Sequence, residues 1–137
     1  MKRKEGEPMR LFNHKRGQSL VETAIVLPLV LLLLMGIIDF GFLFNNYIIL
    51  SNASREAARK GSLGATDAEI VQLIQGNAQS LDPTRLAIEI YPPQSQRFHG
   101  SEIRVTLQYE NKLITPFIGS LLGDDITLRG QMIMRVE

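Results

Sequence analysis

Polar and apolar positions are unevenly distributed along this chain. Residues 24–38 carry no charge, and the run Leu29-Val30-Leu31-Leu32-Leu33-Leu34-Met35 is continuously apolar. Across residues 24–50 the only charge is Asp39, and the only side-chain amides are Asn45 and Asn46. As a helix, this stretch would be about 40 Å long, enough to cross a hydrocarbon core of ~30 Å. It predicts a transmembrane segment over about residues 24–46. A cleaved secretory signal has a core of roughly 7–15 apolar residues. This core is too long for that, although Ser51-Asn52-Ala53 forms a small-x-small triplet. Pro28 removes one backbone bond, to the carbonyl of Ala24, and predicts a bend there. Asp39 lies about 28 Å along the helix from Leu20, near the outer boundary. There a carboxylate either reaches water or meets a partner helix.

Beyond the apolar block the pattern changes period. Ala53 to Lys60 are strong helix formers, so the helix is expected over residues 18–61, with Gly61-Ser62-Leu63-Gly64 breaking it. Thr66-Asp67-Ala68-Glu69 reads as a capping box that opens a short amphipathic helix carrying Ile70, Val71, Leu73, Ile74 and Ala78. Asp82-Pro83 ends it. Three alternating stretches follow. Residues 86–91 place Leu86, Ile88 and Ile90 on one face, and Pro92-Pro93 stops them. Residues 103–110 place Ile103, Val105, Leu107 and Tyr109 inward and Arg104, Thr106, Gln108 and Glu110 outward. Residues 126–137 turn Leu128, Met132, Met134 and Val136 inward. Such alternation predicts a sheet with one packed and one wet face. Residues 113–122, apolar around Pro116, read as a buried loop or a single turn.

The expected class is therefore α+β: a long N-terminal transmembrane helix, a short helix and a small three-stranded antiparallel sheet. Three regions result: a basic leader over 1–17, the long helix over 18–61 and a small domain over 62–137. A domain this small has a thin core and gains from docking on the helix or on neighbours.

Charge orients this arrangement. The chain of 137 residues has a formal charge of +1, which conceals a leader of +4 (residues 1–17) and a remainder of −3. Six basic residues precede the apolar block, whereas Arg55, Arg59 and Lys60 follow it, offset by Glu56. This bias predicts a cytoplasmic N-terminus and an extracytoplasmic C-terminal domain. Nucleic acid is not an expected partner, because Phe12 is the arm's only aromatic residue and no basic helix accompanies it.

Little points to catalysis. The length excludes a TIM barrel or a two-half Rossmann domain. With no cysteine, thiol nucleophiles, disulfides and thiolate metal sites are excluded. His14 lies in the leader and His99 in a loop without a second histidine. Asp124-Asp125 fits a plain acidic turn better than a weak cation site. No nucleophile motif, phosphate loop or metal-ligand spacing occurs. The expectation is a non-enzyme without cofactor or metal. Asn52-Ala53-Ser54 matches a glycosylation sequon, but on a predicted helix beside a membrane it reads as chance.

The most specific constellation is Lys15-Arg16-Gly17-Gln18-Ser19-Leu20-Val21-Glu22-Thr23. A basic pair, a glycine, a polar residue, then a glutamate leading into a long apolar helix resemble a type IV prepilin processing site. The stretch Asn52-Ala53-Ser54-Arg55-Glu56-Ala57-Ala58-Arg59-Lys60-Gly61 resembles the juxtamembrane A-R-E-x-A-R signature of TadE-like proteins, with Ser54 in place of the first alanine. The leader has this family's R-G-Q-x-x-V-E style. Ile114-Thr115-Pro116-Phe117-Ile118, Leu121-Leu122-Gly123 and the ending Met134-Arg135-Val136-Glu137 add a third resemblance. Thr23 departs from the aromatic residue that many members carry there.

The resemblance implies a minor pilin or pseudopilin that takes part in assembly of a tight-adherence (Tad) pilus. A prepilin peptidase would cut between Gly17 and Gln18, with Gly17 lacking a side chain that a narrow subsite would have to admit. Glu22 would become the fifth mature residue. Dehydrated among packed helices, its carboxylate would need a charged partner, and the new ammonium of Gln18 on a neighbouring subunit would supply it. Implied partners are the peptidase, other pilin or pseudopilin subunits, the Tad inner-membrane assembly platform and membrane lipid. The implied location is the bacterial inner membrane, single-pass, with entry into the pilus as a further step. Arg55 and Arg59 share a helix face, with Glu56 beside them. They read as a headgroup-level basic ring or as a contact patch for another subunit or the platform. The alternative reading is an uncleaved single-span protein with an exported partner-binding domain.

Overall fold

The computed structural model describes residues 15–115, 123 and 125–137. Residues 1–14 of the leader, most of the 113–122 loop and Asp124 lie outside the described residues. Helix α1 runs Lys15–Ser62 and contains Pro28. Helix α2 runs Asp67–Asn77. Three strands follow: β1 Leu86–Tyr91, β2 Glu102–Lys112 and β3 Asp125–Arg135. They form one antiparallel sheet in the order β1-β2-β3, so β2 is central. The α+β class and each of its parts are as expected. By their contacts the residues fall into two units, divided between Leu34 and Met35.

The break after α1 differs in detail from the glycine pattern. Gly61 is still helical, and Gly64, at φ +90°, makes the turn. The N–H of Gly64 donates to the carbonyl of Gly61, and that of Ala65 to Lys60. This is a Schellman closure, which requires a left-handed residue and so favours glycine at 64. Immediately after it, Thr66 Oγ1 accepts from the Glu69 amide at 3.2 Å, and the Thr66 amide donates to Glu69 Oε2 at 2.8 Å. The predicted capping box is present. Donation from the Thr66 amide, then from its hydroxyl, holds the Glu69 carboxyl below the usual range.

In the unit Met35–Glu137 the core joins three surfaces. The second half of α1 contributes Leu50, Ala53, Ala57 and Ala58. Helix α2 contributes Ile70 and Ile74, and the packed face of the sheet Ile103, Val105, Leu107, Tyr109 and Leu128. The alternation of β2 continues two residues beyond the expected end, so Asn111 falls on the packed face. One outward residue behaves differently from the pattern. Thr106 is buried, flanked in register by Glu89 on β1 and Gln131 on β3, whose longer side chains stand on either side of it. A short residue at the centre of a central strand is shielded by its neighbours even on the outer face.

The loop before β2 is tied to α2 by one arginine. Arg97, nearly buried, donates Nε to the Pro92 carbonyl at 3.0 Å and Nη1 to the Ala65 carbonyl at 3.2 Å, and pairs with Asp67. Three partners satisfy the fork of the guanidinium, which makes this burial tolerable.

At Gly130 on β3 the sheet comes close to the α1 backbone. A Cβ there would stand 2.8 Å from the Leu50 carbonyl oxygen and 2.9 Å from its carbon. Backbone cannot move aside as a side-chain tip can, so only glycine fits. Gly130→Ala should therefore destabilise the domain by about 1–3 kcal/mol through overpacking. Thermal unfolding of the detergent-solubilised full chain, followed by far-ultraviolet circular dichroism, measures this. An unchanged midpoint would show that the strand and helix have room to separate.

Candidate functional site

Every sequence-predicted site residue lies on α1. Gly17 and Gln18 occupy its first turns. Early-turn amides lack intrahelical acceptors, so this end opens at low cost. Gln18 Nε2 donates to Glu22 Oε1 at 3.2 Å on an exposed surface. Thr23 Oγ1 donates to the Ser19 carbonyl at 2.9 Å. Glu22 edges an open patch of about 290 Å³ whose other walls are Thr23, Val26, Leu27 and Val30. From Leu20, which is 71% exposed, to Ile38, large apolar side chains face outward around the helix. This stretch is long and apolar enough to cross a membrane.

The second group divides between two faces. Ala53, Ser54, Ala57 and Ala58 are buried, whereas Arg55, Glu56 and Arg59 are exposed. Small residues are needed on the inner face because the sheet packs directly on it. Glu56 Oε2 accepts from Asn77 Nδ2 at 2.6 Å, linking α1 to the end of α2. Among the described residues neither Arg55 nor Arg59 forms an ion pair. Fold contacts thus account for Glu56 and the small residues but leave the two guanidiniums free on the surface.

Sequence reasoning missed the contact made by Asp39. It neither reaches water nor needs a second helix: the residue is 4% exposed. Its carboxylate accepts the amide of Ile114 at 3.0 Å and that of Thr115 at 2.9 Å, just past the end of β2. Two helical turns farther on, Asn46 Nδ2 donates to Asn111 Oδ1 at 2.7 Å. Both pairs close over more than sixty residues of sequence, so no local spacing reveals them. The only available signal was the single charge and the paired amides inside an otherwise apolar run.

His99 lies in the turn before β2, Asp125 opens β3, and His14 and Asp124 lie outside the described residues. Among the described residues no three histidine, aspartate or glutamate side chains come together.

Removing the Asp39 acceptor should free the loop that it holds. In Asp39→Ala the amides of Ile114 and Thr115 should exchange with solvent deuterium on the order of tenfold faster, while Asp39→Asn, which keeps one acceptor oxygen, falls between. Exchange mass spectrometry on the detergent-solubilised chain reads this directly. Equal protection in all three proteins would mean that other contacts hold the loop.

Comparison with curated proteins and with solved structures gives no match. A family model described as TadE-like protein matches residues 17–59. The matched segment begins at the glycine of the processing pattern and ends at the second arginine of the juxtamembrane signature. With the apolar helix between them, it indicates a membrane-anchored protein associated with a Tad pilus. The match over residues 17–59 supports assignment of this chain to the TadE-like family.

Proposed function

We propose that the protein is a minor pilin or pseudopilin that takes part in assembly of a Tad-type adhesion pilus. The observation that carries this reading is the single segment 17–59, which combines the family match with an α1 that carries no charge over residues 24–38 and has Glu22 at its entrance. The chain inserts with its N-terminus in the cytoplasm of the bacterial cell and its domain outside the inner membrane. A prepilin peptidase hydrolyses the Gly17–Gln18 bond, which removes the basic leader and leaves an ammonium on Gln18.

Cleavage changes the electrostatics at the helix start. A positive leader gives way to one α-ammonium four residues from Glu22. Within one subunit the Gln18 side chain already reaches Glu22. When helices pack and exclude water, the carboxylate needs a full positive charge, and the ammonium of an adjacent subunit is the nearest chemical match. This pairing fixes the axial register of neighbouring helices. Arg55 and Arg59, exposed and without ion pairs among the described residues, serve as the contact for another subunit or for the assembly platform.

Intact mass of the protein extracted from cells with an active prepilin peptidase tests the reading. The expected species begins at Gln18. Retention of residues 1–17 would overturn the proposal and favour an uncleaved single-span protein with an exported partner-binding domain. Glu22→Ala should leave cleavage intact and abolish piliation. Normal piliation of that variant would remove Glu22 from assembly.

A further inference from the structure

The exposed apolar surface of α1 continues beside the folded domain. Between Met35 and Leu50 the covered or half-covered residues are Gly36, Asp39, Leu43, Asn46, Ile49 and Leu50. Phe40, Phe42, Phe44, Tyr47 and Ile48 remain exposed, Phe40 to 67%. The rings of Phe40 and Phe44 stack with centroids 6.4 Å apart. At about 100° per residue, Phe42 lies roughly 160° around the helix from Phe40. Next to Asp39, on the covered side, Ile114 is 68% exposed.

We infer that Phe40, Phe42, Phe44 and Tyr47 of α1, together with Ile114, seat the domain in the headgroup layer of the outer leaflet. The helix therefore does not hold the domain away from the bilayer. These groups flank the covered stripe on both sides, Phe40, Phe44 and Tyr47 on one and Phe42 on the other, within about 10 Å along the axis; a single protein partner covers one flank, whereas a bilayer covers both. The depth also fits. Residues 20–38 as helix span about 28 Å, close to the hydrocarbon thickness, and the aromatic residues begin immediately afterwards. Phenylalanine and tyrosine at that level form the belt expected at a membrane–water boundary, with the Tyr47 hydroxyl toward the headgroups.

Asp39 makes this seat possible. It is the one charge of residues 24–54. Near hydrocarbon a carboxylate is costly unless donors replace its water. The amides of Ile114 and Thr115 are those donors. The same two bonds hold Ile114 at the depth of Asp39, so a single contact both shields the charge and lowers an apolar side chain to the lipid. This inference requires only that α1 enters a bilayer. It is independent of processing and of pilus assembly, and its failure would leave both untouched.

The chain contains no tryptophan and no cysteine, so single probes report without background. Phe44→Trp, Ile114→Trp and Phe98→Trp are each reconstituted as full chains in phosphatidylcholine vesicles. The lipids carry a doxyl quencher either near the headgroup or deep in the acyl chain. The indoles of Phe44→Trp and Ile114→Trp should emit to the blue of free indole and be quenched more by the shallow label than by the deep one. Phe98→Trp, in the turn preceding β2, should emit as in water and be quenched by neither. Water-like, unquenched emission from Ile114→Trp would overturn the seat. So would a blue shift that disappears when protein is diluted in lipid, because a second copy of the chain would then cover these residues. Ile114→Cys carrying a nitroxide provides a smaller perturbation: its relaxation should respond more to oxygen than to a water-soluble nickel chelate. The reverse preference would overturn the inference.

Discussion

The seam between α1 and the sheet runs along positions 39, 43, 46, 50, 53, 57 and 61, spaced three or four residues apart. That spacing keeps one narrow stripe facing the sheet. The remaining structure of the unit from Met35 onward depends on it. Three strands alone have one apolar face and too little area to bury it, and α2 contributes only two fully buried isoleucines. The sheet becomes stable by closing on a helix whose small residues let it come near. Gly130 on the strand side lets the Leu50 backbone come near, and Ala53, Ala57 and Ala58 are the small buried residues that follow it on the helix.

Along the seam the contacts change character with position. Near Ser62 they are small and apolar, with Gly61 facing the side-chain ends of Ile103 and Ile70. Near Met35 they are polar: the Asn46–Asn111 amide pair and then the Asp39 carboxylate on two backbone amides. Polar contacts have directional requirements that apolar ones lack, so this end of the seam determines which residues of the chain can sit there. Among the described residues every buried side-chain polar atom is paired, a condition for placing such groups beside an apolar surface.

Much of the fold was legible because its signals are local. The length of the apolar run, the Thr66–Glu69 box and the period of two in residues 86–91 and 103–110 each act within a few residues. What sequence reading missed is what depends on distance or on neighbours. The helix ends at Ser62, one residue past the expected end, because within Gly61-Ser62-Leu63-Gly64 it is Gly64 that completes the Schellman bonds. Thr106 is buried because of what flanks it in register. Asp39 found its partners 75 and 76 residues away. The site was legible as a set of residue types, whereas its division into covered and free faces required the packing.

That division bears on how the A-R-E-x-A-R pattern should be understood. Its alanines and Ser54 are buried in the core, and its glutamate holds the end of α2, so a requirement of folding accounts for most of it. The two arginines are different. They stand four residues apart on the exposed side, beyond the uncharged stretch and without ion-pair partners among the described residues. Nothing within the domain needs a guanidinium there, and exposed long side chains contribute little to stability by themselves. A pattern that combines buried small residues with free arginines at fixed spacing satisfies two demands at once. The small residues set how closely the sheet approaches α1, and that approach holds the arginines on the opposite flank. The contact surface is thus oriented by the core beneath it.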